Sequence, residues 1–270
     1  MEEKLKYPVL LVHGMGFRDR KVFCYWGRIP KLLEDMGCKV FFGHQDATAD
    51  IATNGAHLAK RIDEILAETG AERVNIIAHS KGGLDSRYAI SSLGMGSKVA
   101  TLTTIATPHN GSKTMDHLMK IPQFLVKTGC FFTDFWFRLL GDKKPRTYQT
   151  LCSFTTKPAQ EFNRENPDDP QVYYQSYAFV MQKPSSDMIL WLANRVVRHY
   201  EGENDGLLPP ESVKWGHFRG TLRGVGKRGV SHFDEIDFRR KPLSKVKGDG
   251  VADILDFYTG IVEELAQKGY

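Results

Sequence analysis

Apolar residues along this chain fall into two patterns that alternate: short unbroken runs and stripes at helical spacing. The runs at 8–14, 40–42, 74–78, 99–106 and 172–180 are rich in β-branched or aromatic residues, which predicts strands buried on both faces. Between them, 55–69 carries Leu58, Ile62, Ile65 and Leu66 on one stripe and stops at Gly70, the signature of an amphipathic helix. Helices are also expected over 25–36, ended by Gly37, and over 188–199. A last helix over 250–267 has Ile254, Leu255, Tyr258, Ile261, Val262 and Leu265 on one face. Strands alternating with helices predict a mostly parallel sheet with helices on both faces, its functional loops at the carboxyl ends of the strands. The glycine-rich stretch 216–229 reads as hairpin-like.

The pattern breaks over about 112–170. Phe131, Phe132, Phe135, Trp136 and Phe137 crowd into seven positions, interrupted by Asp134 and preceded by Lys127. Such a run is too polar and too broken to span a bilayer. Two readings stay open, a buried core helix and a lid whose apolar face covers a site when closed and meets lipid when open. Its place between two sheet strands favours the lid, with Phe131, Phe135 and Trp136 as its substrate-facing residues.

Composition adds mainly exclusions. At 270 residues, 41% hydrophobic and 26% charged, the chain is expected to form a single α/β domain over 1–270, the lid an insertion within it. The formal charge of +5 is dispersed, with a short cluster at Arg239, Arg240 and Lys241 that reads as solvated surface, so nucleic acid is not an expected partner. The four cysteines, Cys24, Cys38, Cys130 and Cys152, lack metal or redox spacing and read as free thiols. With no apolar leader at its start, the chain reads as cytoplasmic, and secretion after removal of a signal is the alternative.

Candidate chemistry centres on Ala78-His79-Ser80-Lys81-Gly82, a small-x-Ser-x-Gly sequence between a predicted strand and a helical segment. Small flanking residues allow a sharp turn that holds a serine hydroxyl out of the sheet, beside a helix N-terminus that favours negative charge. The expectation is that anything larger than a methyl group at Ala78 or Gly82 would crowd the turn. An activated serine needs a base, and the base needs an orienting acid. Of nine histidines, His13 and His79 lie inside motifs and His199 precedes any acid loop; layout favours His232, on a loop near the chain's end, as the base, with His217 held in reserve. Asp205, in Asn-Asp-Gly, is the acid candidate, although any such sequence also suits an Asx turn. His13-Gly14-Met15-Gly16-Phe17 offers flexible backbone that can bring an N–H close to a reacting oxygen.

Taken together these pieces resemble the bacterial triacylglycerol lipases of subfamily I, members of the α/β-hydrolase superfamily. The matching stretches are 7–15, 25–30, 74–83, 106–112, 154–157 with 161–163, 204–207 and 231–236, in order and nearly throughout the chain. The resemblance implies an α/β-hydrolase fold and hydrolysis of acyl esters through an acyl-enzyme. It implies Ser80 as nucleophile, Asp205 as acid, His232 as base, and the backbone N–H groups of Met15 and Lys81 as oxyanion donors. The substrate would be an acyl ester or lipid, met at a lipid interface through the lid, and the chemistry requires no cofactor. Three departures stand out: Ala78 replaces a glycine, Lys81 stands where histidine or glutamine is common, and the structural calcium site is only partly represented. Asp234 occupies one calcium-ligand position and Asp187 is the candidate for the other carboxylate, but Phe238 replaces a glutamine. A short-chain cytoplasmic esterase using the same triad is the first rival; a non-catalytic acyl-binding protein is the second.

Overall fold

The alternating runs and stripes become a six-stranded sheet in a computed structural model that describes residues 4–19, 24–246 and 248–270. In chain order the elements are β1 (Val9–Val12), α1 (Ile29–Asp35), β2 (Val40–Phe42), α2 (Ile51–Thr69), β3 (Val74–His79), α3 (Lys81–Ser91) and β4 (Val99–Ile105). The insertion follows as α4 (Lys113–Leu118), α5 (Gln123–Leu139), α6 (Thr147–Ser153) and α7 (Thr156–Glu165). Then come β5 (Tyr173–Val180), α8 (Trp191–Glu201), α9 (Pro210–Val213), β6 (His217–Arg223) and α10 (Ile254–Gln267). The strand order is β2-β1-β3-β4-β5-β6, and every pairing is parallel.

Because successive strand side chains point to opposite faces, each strand feeds two cores. Val9 and Leu11 of β1 pack with Trp26, Leu33, Tyr258 and Ile261 on the α1/α10 face. Leu10 and Val12 pack with Leu58, Ile62, Ile65 and Ile90 on the α2/α3 face. The stripes anticipated on α2 and α10 are therefore the inner surfaces of two covering layers.

Element edges moved where a cap or a proline decides. Helix α1 begins at Ile29 rather than 25, with Pro30 in its first turn, where a missing N–H costs nothing. Helix α2 starts earlier than its stripe because Asp50 accepts a hydrogen bond from Thr53 N–H at 2.7 Å. The hairpin expected over 216–229 is not formed; β6 instead lies parallel to β5. Gly220, at φ +113°, falls where the register shifts between Ser176↔Phe218 and Ala178↔Thr221, so its conformational freedom serves a bulge rather than a reversal. Among the described residues no helix is long and apolar enough to cross a membrane.

Candidate active site

A sharp turn ends β3. Ser80 sits there at φ +53° and ψ −130°, a conformation that L-residues seldom adopt, and α3 begins at the next residue. The turn is tied down on three sides: Ser80 N–H donates to Ile105 O at 2.8 Å, while Gly83 N–H and Thr107 Oγ1–H donate to Ser80 O at 3.1 and 2.7 Å. Space is tighter than anticipated. Even a Cβ at Gly82 would lie 2.5 Å from His13 O and 2.6 Å from Val12 O, so the limit at that position is hydrogen, not methyl. Gly14 is constrained from the other side, since a Cβ there would stand 2.8 Å from that of Ser80.

Asp205 and His232 come together from the loops after α8 and β6. Asp205 Oδ2 accepts from His232 Nδ1–H at 2.8 Å, and His232 N–H donates to Asp205 O, also at 2.8 Å. Oδ1 of the same carboxylate accepts from Leu207 N–H and Leu208 N–H at 2.8 and 2.7 Å. The Asx turn and the histidine partner are thus not alternatives; one carboxylate does both. His232 lines the same cavity as Ser80. The reserve histidine, His217, is exposed on edge strand β6 and stacks on Tyr173.

Behind His232 lies a buried chain of polar groups that pattern reading did not assign. Tyr25 Oη–H donates to His79 Nδ1 at 2.7 Å, and His79 Nε2–H donates to Glu235 Oε2 at 3.0 Å. Glu235 Oε2 is also 3.7 Å from His232 Nδ1. This order of donors requires a neutral His79, and burial, followed by the nearby His232, pushes His79 well below the ordinary imidazole range. Burial, then the charge of Asp205, pushes Glu235 well above the carboxylate range. His79, His232 and Glu235 bring metal-capable atoms within 4.8 Å of one another, but His79 Nε2 and His232 Nδ1 are already engaged with carboxylates. Acidic residues two and three places beyond His232 were the available signal for Glu235, and Tyr25 entered only as the first residue of the expected helix 25–36 and of the matching stretch 25–30, with no role attached.

The loop after β1 runs beside the elbow. His13 Nε2–H donates to Gln45 O at 3.0 Å, and Gln45 Nε2–H returns to His13 O at 2.8 Å, which fixes the backbone that carries Met15. Lys81 turns its ammonium away, into a buried pair with Asp85 at 2.6 Å, where burial raises the Asp85 carboxyl even against the lysine's pull. As the first residue of α3, Lys81 has a backbone N–H with no acceptor inside the helix.

Ser80 opens into a largely apolar cavity of about 380 Å³ lined by Met15, Phe17, Pro108, Leu208, Phe233 and others, with Met115, Leu151 and Phe154 supplied by the insertion. Phe131, Phe135 and Trp136 are not among its walls. They stand on α5, 66%, 58% and 60% exposed, together with Phe124, Phe132 and Leu139. Only Cys130 of α5 is buried, so the core-helix reading gives way to an apolar face turned to solvent, and the expected contact of those three residues with the site is corrected.

The two carboxylates anticipated as calcium ligands do converge, but around arginines. Asp187 Oδ2 and Asp234 Oδ2 lie 2.8 and 2.9 Å from Ser231 Oγ, whose single proton serves one at a time. Arg239 Nη2 is 2.9 Å from Asp187 Oδ2, and Arg228 Nη2 is 2.8 Å from Asp234 Oδ2. The remaining oxygens are also held, Asp187 Oδ1 by Ile189 N–H and Asp234 Oδ1 by Arg228. Calcium needs six to eight oxygen ligands with carboxylates free to turn toward it. The residues present do not fit that requirement. Arg239 lies in the exposed basic cluster, as expected, yet its guanidinium is turned onto these buried acids.

Comparison with known proteins places these features in context. A family model described as palmitoyl protein thioesterase matches residues 8–182. Triacylglycerol lipase 2 of Saccharomyces cerevisiae is 31% identical over 264 residues, covering 91% of this chain and 74% of that protein. A triacylglycerol lipase of Pseudomonas fragi is 32% identical over 174 residues, 60% of this chain and 58% of its own length. Among solved structures, Staphylococcus hyicus lipase superposes with a TM-score of 0.73 at 17% identity, over 98% of this chain and 96% of that one. Bacillus licheniformis lipase BlEst2 in its mature form gives 0.66 at 23% identity, over 86% and 87%.

Proposed function

Since this chain belongs to the lipase family of α/β-hydrolases that the palmitoyl protein thioesterase model and the yeast triacylglycerol lipase represent, we propose that it cleaves acyl esters by an acyl-enzyme route through Ser80, His232 and Asp205. It is a carboxylic ester hydrolase of the lipase type. The observation that carries the mechanism is the meeting, in one apolar cavity, of a serine on a strained turn and a histidine held by a buried carboxylate.

In this reading His232 takes the proton of Ser80 Oγ as the oxygen attacks the ester carbonyl. Asp205 orients the imidazole and stabilises its charged form. The carbonyl oxygen gains negative charge and is met by the N–H groups of Met15 and Lys81, each such donor typically worth roughly 3 kcal/mol of barrier. Collapse of this intermediate breaks the ester C–O bond, and His232 returns the proton to the departing alcohol. Water then attacks the acyl-serine by the same sequence and frees the fatty acid. The exposed aromatic face of α5 is proposed as the lid's lipid-meeting surface.

The test is hydrolysis of p-nitrophenyl esters from acetate to palmitate, beside a palmitoyl thioester, by the wild-type chain and by Ser80→Ala. Turnover in the wild type, lost in a Ser80→Ala protein that still melts cooperatively, is the expected result. A long-chain optimum makes it a lipase, and an acetate or butyrate optimum a short-chain esterase with the same machinery. Retained turnover in Ser80→Ala removes that serine from its role.

A further inference from the structure

The cluster around Asp187 and Asp234 does not fit calcium, and its position suggests what it does instead. His232 sits within the turn 231–234. That turn is closed by Asp234 N–H donating to Ser231 O at 2.8 Å and by Ser231 N–H donating to Asp234 Oδ2 at 3.0 Å. The Asp234 carboxylate is therefore part of the frame that presents the imidazole. Asp187, from the segment before α8, reaches the same turn through Ser231 Oγ. Both carboxylates are about 1% exposed, and two such charges directed at one hydroxyl repel each other unless a cation lies between them.

Arg239 fills that role. Its Nη2 is 2.9 Å from Asp187 Oδ2 and its Nε is 3.6 Å from Asp234 Oδ1, so one guanidinium spans both acids. Arg228 Nη2 completes the set at 2.8 Å from Asp234 Oδ2, and the backbone O of Arg228 accepts from Gln182 N–H at 3.2 Å. Two carboxylates and two guanidiniums leave the cluster formally neutral, and a divalent cation added to it would leave two positive charges uncompensated.

We infer that Arg239 is a positioning residue that takes the place of a metal ion, locking the His232 turn to the Asp187 segment and making the enzyme independent of calcium. This rests on the proposed role of His232 as base. Arginine suits the task because its rigid planar fork can address two carboxylates at once, which a lysine ammonium does less well.

The experiment uses the full chain in two arms. In the first, thermal melting of the wild type is followed in chelator and in millimolar calcium chloride. Coincident transitions are expected; a transition raised by calcium overturns the replacement of the ion. In the second arm, Arg239→Ala and Arg239→Lys are compared on a soluble ester. Arg239→Ala should lose roughly tenfold to a hundredfold in kcat with KM within about twofold, because a small misplacement of a catalytic group acts on the reacting state. Arg239→Lys should recover part of the loss. Wild-type kcat in Arg239→Ala overturns the positioning role, as does an equal rise in KM. Should Arg239→Ala not fold, Arg239→Lys carries the arm: kcat reduced at unchanged KM supports the role, and wild-type kinetics oppose it. If the wild type turns over no ester at all, the proposed function fails, while the melting arm still judges the calcium claim.

Discussion

The smallest residues carry the strictest demands. At Gly82 the two carbonyl oxygens within 2.6 Å of an added Cβ belong to backbone of β1 and its loop, which cannot swing aside as a side-chain tip would. Gly82→Ala is therefore expected to lower stability by about 1–3 kcal/mol, the usual range for overpacking. An unchanged melting temperature would show that the loop carrying Met15 yields. Asp205 invites a sharper substitution because its two oxygens have separate duties. In Asp205→Asn the amide oxygen can keep the Leu207 and Leu208 bonds, so the turn should stand and the melt should change little. The charge facing His232 is lost, and kcat should fall by about a hundredfold to ten-thousandfold. Near wild-type turnover would mean that another group orients the base.

At the level of elements, α5 separates two ideas that pattern alone could not. Its apolar stripe is real, yet the stripe is exposed, so packing does not depend on it. Replacing Phe131, Phe135 and Trp136 by serine should move stability by no more than about 0.5 kcal/mol each, as for surface positions generally. Activity on emulsified lipid should fall far more than activity on a soluble short ester, because only the first substrate presents an interface. Equal losses on both would remove the lid role. Strand β6 teaches the complementary lesson: its glycines suggested a reversal, and whether a glycine at positive φ makes a hairpin or a bulge depends on which neighbour the strand pairs with.

Across the whole molecule, buried histidines couple stability to pH. His109 is fully buried beneath Trp215. Arg87 Nη1–H lies 3.4 Å from its Nδ1, and its Nε2–H donates to Thr104 Oγ1 at 3.0 Å. Burial, then the charge of Arg87, holds it well below the model-peptide value of 6.5. Its folded pKa is depressed, so between that value and the unfolded one the unfolded chain binds more protons. Its contribution is complete above 6.5 and is lost as pH falls toward the folded value, and His79 acts in the same direction. Glu235 and Asp85, whose carboxyls burial raises, act in the opposite direction, so the effect is read as the difference between wild type and His109→Gln. The His109 contribution to the melting temperature should shrink as pH falls below about 6.5. Nuclear magnetic resonance should find His109 titrating well below the range of a free imidazole. A His109 that titrates close to 6.5 in the folded chain would contradict this account.

What the sequence determined by itself was whatever is local or periodic. Strand runs, helix stripes, the small residues around Ser80 and the order of Ser80, Asp205 and His232 are all written within a few residues or in simple chain order. The parallel sheet follows from them. Only the tertiary structure could decide matters of distance between remote segments. It allowed Asp205 to serve a turn and a histidine at once, joined Tyr25 to Glu235 through His79, and brought Arg239 across to Asp187. The reason is physical. A charge or a hydrogen-bonding group has no fixed meaning until its burial and its partner are known, and a three-residue basic cluster reads as solvated surface until the fold buries two carboxylates beside it.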